Sequence, residues 1–124
     1  RERIARTILR LAGEVELIVV SGGLGPTPDD LTREALAQAM GSPLVEDPLA
    51  LDQIEAWFAA RGRPMQAINR VQAMRPRDAV SLENRFGTAP GIWGKVEVGR
   101  TSAGTIHAGD VVPGKRCDVF WLPG

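Results

Sequence analysis

The stretch from Ser21 to Asp30 combines residue types whose spacing could bind a phosphate group. Gly22, Gly23 and Gly25 place three glycines within four positions. Glycine permits backbone angles closed to other residues and lets a ligand approach the main chain closely. The residues that follow are typical of a helix start, whose unpaired N–H groups attract anions. Because a strand-to-helix turn normally needs a single glycine, the pattern predicts a binding loop for an anionic ligand.

Two carboxylates, Asp29 and Asp30, end this stretch. Carboxylate oxygens beside a bound phosphate suit a divalent ion of the magnesium class, which keeps waters that substrate phosphates can share. Such an ion neutralises developing charge and activates or orients a water molecule. We therefore expect Asp30, together with Asp29, to bind Mg²⁺ or a similar metal ion.

The same residues also have a purely structural interpretation. Thr27 is a suitable N-cap, Pro28 fits the first helical position, and Asp29 and Asp30 sit where carboxylates stabilise the positive end of a helix. Capping alone could therefore explain these four residues. The loop also lacks the lysine of a P-loop and the spacing of the dinucleotide fingerprint.

A second stretch with glycines runs from Asn84 to Gly91. Gly87 and Gly91 are points where a ligand could approach the backbone, and Thr88 has a hydroxyl group that could donate a hydrogen bond. Arg85 could neutralise a phosphate. The same composition is ordinary turn chemistry, so these residues alone do not decide between a turn and a binding loop.

Alternating helices and strands would position the two loops. Apolar spacing predicts helices at Arg1–Ala12, Pro28–Met40, Leu49–Arg61 (with Asp47 as its N-cap) and Met65–Met74. Strands are predicted at Val15–Val20, Ala79–Leu82, Trp93–Val98 and Cys117–Leu122.

This order of elements predicts an α/β fold with three αβα layers, a mostly parallel sheet and an antiparallel addition. Val15–Val20 is almost wholly apolar, as expected of a central strand covered on both faces. Trp93–Val98 alternates apolar and polar residues, so it is the candidate for the antiparallel addition. Ligands of such sheets bind beyond the carboxyl ends of the strands, where Ser21 lies.

Composition excludes several classes of protein. Fifteen basic and fifteen acidic residues cancel over 124 residues, which gives no support for a nucleic-acid surface. The single cysteine, Cys117, excludes an intrachain disulfide and is expected to be a small buried filler. The sequence contains no apolar run as long as a membrane span and no signal-peptide pattern, so we expect a cytoplasmic protein without a membrane partner.

Three ordered blocks resemble the molybdenum-cofactor-biosynthesis (molybdopterin-binding) domain, in the version at the N-terminus of CinA, the competence/damage-inducible protein. The first is Ser21-Gly-Gly-Leu-Gly-Pro-Thr-Pro-Asp-Asp-Leu-Thr-Arg-Glu-Ala-Leu-Ala37. The second joins Asn69-Arg-Val-Gln-Ala-Met74 to Asn84-Arg-Phe-Gly-Thr-Ala-Pro-Gly91. The third, Val119-Phe-Trp-Leu-Pro-Gly124, resembles the strand that enters the superfamily's Leu-Pro-Gly-x-Pro loop.

The resemblance implies a metal-dependent hydrolase that cleaves the pyrophosphate of ADP-ribose to AMP and ribose 5-phosphate. It places Asp30 where related adenylyltransferases carry a catalytic aspartate. It also implies a homo-oligomer, in the form of a dimer, and a substrate site formed by Ser21, Gly22, Gly23, Gly25, Thr27, Asn84, Gly87, Thr88 and Gly91. Two alternatives remain: molybdopterin binding or adenylylation, and a non-catalytic binding and oligomerisation module.

The sequence departs from the family pattern in two places. Residues 1–124 are expected to form one domain that lacks family segments at both ends. Residues 94–116 are longer than the short hairpin usual in CinA-type domains, and they are predicted to form a loop or an extended hairpin. His107, the only histidine, lies in this segment and has no second histidine or cysteine nearby, so it is expected to be a surface residue rather than a metal ligand.

Overall fold

The computed structural model describes residues 2–26, 31–98 and 115–123. Helices and strands alternate along them, which confirms the α/β class. The helices are α1 (Glu2–Ala12), α2 (Thr32–Met40), α3 (Pro48–Ala60) and a 3₁₀ helix (Ala67–Ala73). The strands are β1 (Leu17–Ser21), β2 (Leu44–Glu46), β3 (Met74–Pro76), β4 (Val80–Leu82), β5 (Gly91–Val98) and β6 (Lys115–Leu122).

Four of the described strands form one sheet in the order β1-β6-β5-β4. β1 is parallel to β6, whereas β5 is antiparallel to both β6 and β4. The antiparallel addition predicted at residues 93–98 is therefore confirmed. The expectation that most strands would be parallel needs correction, since one of the three described pairs in this sheet is parallel. Apolar periodicity reports which face of a strand is buried and carries no information on its direction.

The main core lies on one face of this sheet, beneath α1 and α2. Alternate residues of β5 and β6 point to this face and become fully buried, among them Val96, Cys117 and Val119. Ile8 of α1 and Leu36 of α2 pack against them. Cys117 is thus the buried filler that the sequence predicted, and burial raises the pKa of its thiol.

The opposite face of the sheet carries an apolar row with one residue from each strand, Val19, Phe120, Trp93 and Val80, which are cross-strand neighbours. The rings of Trp93 and Phe120 stack with their centroids 5.7 Å apart. Val19 and Val80 are 60% and 50% exposed. The helices that pack extensively on the sheet, among the residues described, lie on the other face.

The prediction that residues 15–20 form a central strand covered on both faces is wrong for the described part of the chain. β1 begins at Leu17, pairs only with β6 there, and alternates between buried and exposed residues. An apolar run shows that a strand can be covered on both faces, but it does not show which element covers it.

A smaller unit is formed by β2, β3, α3 and the 3₁₀ helix. β2 and β3 are antiparallel, and Ala50, Ile54 and Ala73 form its buried core. Asp47 caps α3, as predicted, by accepting hydrogen bonds from the N–H groups of Leu49 (2.9 Å) and Ala50 (3.2 Å). The helix predicted at residues 65–74 is the shorter 3₁₀ helix.

The long segment predicted at residues 94–116 begins and ends within strands. Gly94–Val98 belongs to β5 and Lys115–Arg116 to β6. Its middle, residues 99–114 with His107, lies outside the described residues. Within the described ranges, none of the helices has the length and apolar character needed to cross a membrane.

Candidate functional site

The first glycine loop, Ser21–Pro26, begins at the carboxyl end of β1 and lies beside the last residues of β6. The N–H group of Gly22 donates to the carbonyl of Leu122 (2.9 Å). The indole Nε1 of Trp121 donates to the carbonyl of Gly22 (2.7 Å). Both polar backbone groups of Gly22 are therefore held by the end of β6.

Two glycines in this loop have backbone angles that favour glycine. Gly22 has a φ of +92° and Gly23 a φ of +76°, both in the left-handed region. A Cβ atom at Gly23 would also overlap the Oγ1 of Thr32, whereas one at Gly22 would have no heavy atom within 4 Å. Gly23 is thus required for two separate reasons.

The inner side of the loop rests on the first turn of α2. Arg33 is 1% exposed, and its guanidinium group donates to the carbonyls of Leu24 and Gly25, the second at 3.3 Å. The hydroxyl of Thr32 donates to the carbonyl of Gly22 at 3.5 Å. Side chains from α2 and β6 therefore hold three carbonyls of the loop, those of Gly22, Leu24 and Gly25.

Arg33 and Trp121 were missed by the sequence interpretation. A signal for Arg33 is present in the sequence, because it shares a helix face with Leu36 and Ala37, which are both buried. A charged side chain on an apolar face needs buried partners. No comparable signal marks Trp121, whose alternation pattern only predicts a core residue.

The second glycine stretch, residues 84–91, is organised by Asn84. Its Oδ1 accepts from the N–H of Phe86 (3.0 Å), and its Nδ2 donates to the carbonyl of Ala89 (2.9 Å). The side chain of Asn84 therefore holds the turn. At the end of the stretch, a Cβ at Gly91 would lie 3.1 Å from the carbonyl oxygen of Trp121, so glycine permits the close approach of β5 to β6.

Both loops lie at the same end of the sheet, beside the last residues of β6. Gly22 and Gly91 lie on either side of the end of β6, which separates them by two strand spacings, or about 10 Å. Eight of the predicted site residues lie in these two loops or at their ends, namely Ser21, Gly22, Gly23, Gly25, Asn84, Gly87, Thr88 and Gly91. The predictions for Thr27, Asp29 and Asp30 fall outside the described residues.

The chemistry of the α2 start fits a hard cation. Asp29 and Asp30 precede the helix in sequence, and Glu34 lies in its first turn. One carboxylate oxygen of Glu34, Oε2, is buried and has no hydrogen-bond partner among the described residues. A buried carboxylate oxygen in this state is suited to accept a cation or a cation-bound water. In the described parts of the chain, no three His, Cys, Asp or Glu side chains come together as a metal-binding group.

Comparison with known proteins identifies the family. The family model described as "Probable molybdopterin binding domain" matches residues 1–124. The chain belongs to the molybdopterin-binding domain family. The resemblance drawn from the three sequence blocks is thereby confirmed.

Relatives of this molybdopterin-binding domain carry the names competence-damage inducible protein and CinA-like protein. It is 52% identical over 91 residues to a competence-damage inducible protein of Moorella thermoacetica, an alignment that covers 73% of this chain and 22% of the relative. It is 48% identical over 91 residues to a CinA-like protein of Nostoc, again over 73% and 22%. The chain thus spans about a fifth of the length of the curated relatives it matches.

A solved structure shows the same fold. The crystal structure of the protein CinA from Thermoplasma acidophilum superimposes with a TM-score of 0.72 at 30% sequence identity. The match covers 99% of this chain and 61% of that one. The molybdopterin-binding domain described above is therefore of the CinA type in both sequence and fold.

Proposed function

We propose that this CinA-type domain binds ADP-ribose at the two glycine loops and, with a divalent ion, hydrolyses its pyrophosphate. The observation that carries the proposal is that the two loops lie on either side of the end of β6, at the same end of the sheet. A diphosphate has two anionic groups, and a site with two stretches of accessible main chain suits such a ligand.

The residues of the chain have distinct roles in this proposal. The first loop binds phosphate oxygens through the backbone N–H groups of Gly23, which is exposed, and Gly25, which is half-buried. The hydroxyl group of Thr88 donates a hydrogen bond to the second phosphate. Asp30 and Asp29 would hold the divalent ion, which when bound would neutralise developing charge and orient a water molecule. Addition of that water to phosphorus breaks the phosphoanhydride bond and releases AMP and ribose 5-phosphate.

The test uses the full-length protein with ADP-ribose and a series of divalent ions, and it measures the release of AMP. Replacing Asp30→Asn removes a charge while keeping the size of the side chain, and we expect kcat to fall by about 100-fold or more. Asp52→Asn, an exposed position on α3, is the matched control and should retain the wild-type rate. Undiminished AMP release by the Asp30 variant would remove Asp30 from the mechanism. Absence of AMP with every ion would reject the hydrolase.

A second candidate function is the binding or adenylylation of molybdopterin, which is favoured by the description of the matching family. The same protein would then bind molybdopterin and, in the adenylylation case, release pyrophosphate from ATP in its presence. Following pyrophosphate rather than AMP separates this function from hydrolysis of ADP-ribose.

A further inference from the structure

We propose that Trp121 and Arg33 are positioning residues that aim the backbone N–H groups of the first glycine loop at the ligand's phosphate. The inference rests on the proposed function for the identity of the ligand. The direction of the N–H groups is inferred from the local geometry alone.

Trp121 sets the direction of one peptide group. Its indole donates to the carbonyl of Gly22 at 2.7 Å, and this bond fixes the orientation of the peptide that joins Gly22 to Gly23. The described peptide bonds are trans, and in a planar trans peptide the N–H points opposite to the C=O. The N–H of Gly23 is therefore directed away from Trp121, which is only 3% exposed, and so away from the core.

Arg33 acts in the same way on the peptide that joins Leu24 to Gly25. Its guanidinium donates to the carbonyl of Leu24, so the N–H of Gly25 points away from Arg33 and from the core. Arg33 also donates to the carbonyl of Gly25. The cationic donor on the carbonyl of Leu24 polarises the peptide that joins Leu24 to Gly25, and this strengthens the N–H of Gly25 as a donor. The peptide that joins Gly25 to Pro26 has no N–H group. Gly23 and Gly25 thus present two donors on the outer side of one loop.

The supports themselves are fixed by different elements. Trp121 lies on β6 and Arg33 lies on α2, and both side chains are buried in the core. A loop held at both ends in this way has lost its conformational freedom before the ligand arrives. Ligand binding therefore involves a smaller loss of conformational entropy in the loop, and the affinity for the ligand is higher.

The decisive variant is Trp121→Phe in the full-length protein, because it keeps an aromatic side chain and removes the N–H donor together with part of the ring volume. We expect the KM for ADP-ribose to rise about 2- to 10-fold, the factor that corresponds to one lost hydrogen bond. Deuterium uptake at residues 21–26 should also become faster, since the bond from Gly22 to Leu122 loses its neighbouring support. Trp93→Phe is the matched control, because the Nε1 of Trp93 donates to Asp118 on the opposite face of the sheet.

Arg33→Lys is the second variant, with Arg75→Lys as its control. Arg75 likewise donates to two backbone carbonyls, those of Pro76 and Arg77, but it lies in the smaller unit. Lysine lacks the planar fork of N–H donors with which a guanidinium holds two carbonyls in a fixed geometry. The Arg33 variant should raise KM by about 10-fold or more, the factor for hydrogen bonds from a charged donor, whereas the Arg75 variant should leave KM unchanged.

These measurements separate the positioning role from a general effect on folding. A KM that rises equally in Trp121→Phe and Trp93→Phe, or that stays at the wild-type value in Trp121→Phe, overturns the proposal. If the wild-type protein does not hydrolyse ADP-ribose, the proposed function fails and deuterium uptake alone decides. Faster uptake at residues 21–26 in Trp121→Phe, and not in Trp93→Phe, then supports the positioning role, and equal uptake rejects it.

Discussion

Gly22 and Gly23 share a left-handed backbone conformation but differ in their surroundings, and this difference can be measured. Gly22→Ala should destabilise the protein by about 1–2 kcal/mol, the cost of placing a side chain in the left-handed region. Gly23→Ala should cost at least about 1 kcal/mol more, because its methyl group also overlaps Thr32. Urea unfolding of the two variants gives the comparison.

A double-mutant cycle provides the control. Thr32→Ala removes the overlapping hydroxyl, so Gly23→Ala should cost less in that background than in the wild type. Gly22→Ala should cost the same in both backgrounds, since no heavy atom of the described residues lies within 4 Å of its Cβ position. Additive effects for Gly23 and Thr32 would contradict the proposed overlap.

Single residues could be predicted from the sequence where the residue type itself indicates a structural role. The glycines of both loops could be recognised because few positions require glycine unless the backbone or a close neighbour demands it. Asn84 was expected to contact substrate, yet both ends of its side chain are used within its own turn. Trp121 could not be recognised, because its bond to Gly22 joins residues 99 positions apart.

Helix α3 depends on the ionised side chain of Asp47 at its start. Burial by itself would raise the pKa of Asp47, but the hydrogen bonds from Arg75 (2.8 Å) and from the N–H of Ala50 outweigh it and lower the pKa. A carboxyl group with a lowered pKa in the folded state stabilises the protein above the unfolded pKa of about 4. This contribution is lost as the pH falls through the lower, folded pKa.

We expect the free energy of unfolding to fall more steeply between pH 5 and pH 2 in the wild type than in Asp47→Asn. This range is set by the unfolded pKa of about 4 and by the lowered pKa of Asp47 in the folded state. At neutral pH the variant should be less stable by about 1 kcal/mol or less, because asparagine still caps the helix but loses the ion pair with Arg75. Asp52→Asn, exposed on the same helix, should follow the wild-type pH profile. Parallel profiles for the wild type and the Asp47 variant would count against this role.

Most long elements of the chain could be predicted, and the short ones could not. The helices α1 and α3 have an apolar spacing and end signals that extend over several turns. β2 and β3 each have three residues, too few to show any periodicity. The 3₁₀ helix was predicted over a longer span, because apolar residues three apart fit either kind of helix.

The two faces of the main sheet should respond differently to the same substitution. Val119 is fully buried beneath the helices, and Val119→Ala should cost about 2 kcal/mol through lost burial and a residual cavity. Val19, on the neighbouring strand, is 60% exposed on the other face, so Val19→Ala should cost about 0.5 kcal/mol or less. Chemical unfolding of this chain tests the difference. Equal losses would show that the second face is covered in solution.

The architecture of the whole molecule was the hardest level to predict. The α/β class follows from alternating elements, but strand direction depends on connections whose course the residues do not encode. Val15–Val20 was expected to be central because it is apolar throughout, whereas β1 has one described neighbour, β6. The position of the first glycine loop was predicted correctly, because the loop after β1 lies at the carboxyl end of a strand in either arrangement.

The pairing of β1 with β6 also determines when the candidate site can form. Gly22 is held by Trp121 and Leu122, and Lys115 donates to the carbonyls of Ala12 and Val15, more than ninety positions earlier in the chain. At about 5–20 residues per second, a ribosome would need roughly 5–20 s to synthesise the intervening chain. During that time the glycine loop lacks the supports that β6 provides, Trp121 and Leu122. Closure of so long a connection is slow, so the loop takes its final conformation late in folding, after most local contacts of α1 and α2 have formed.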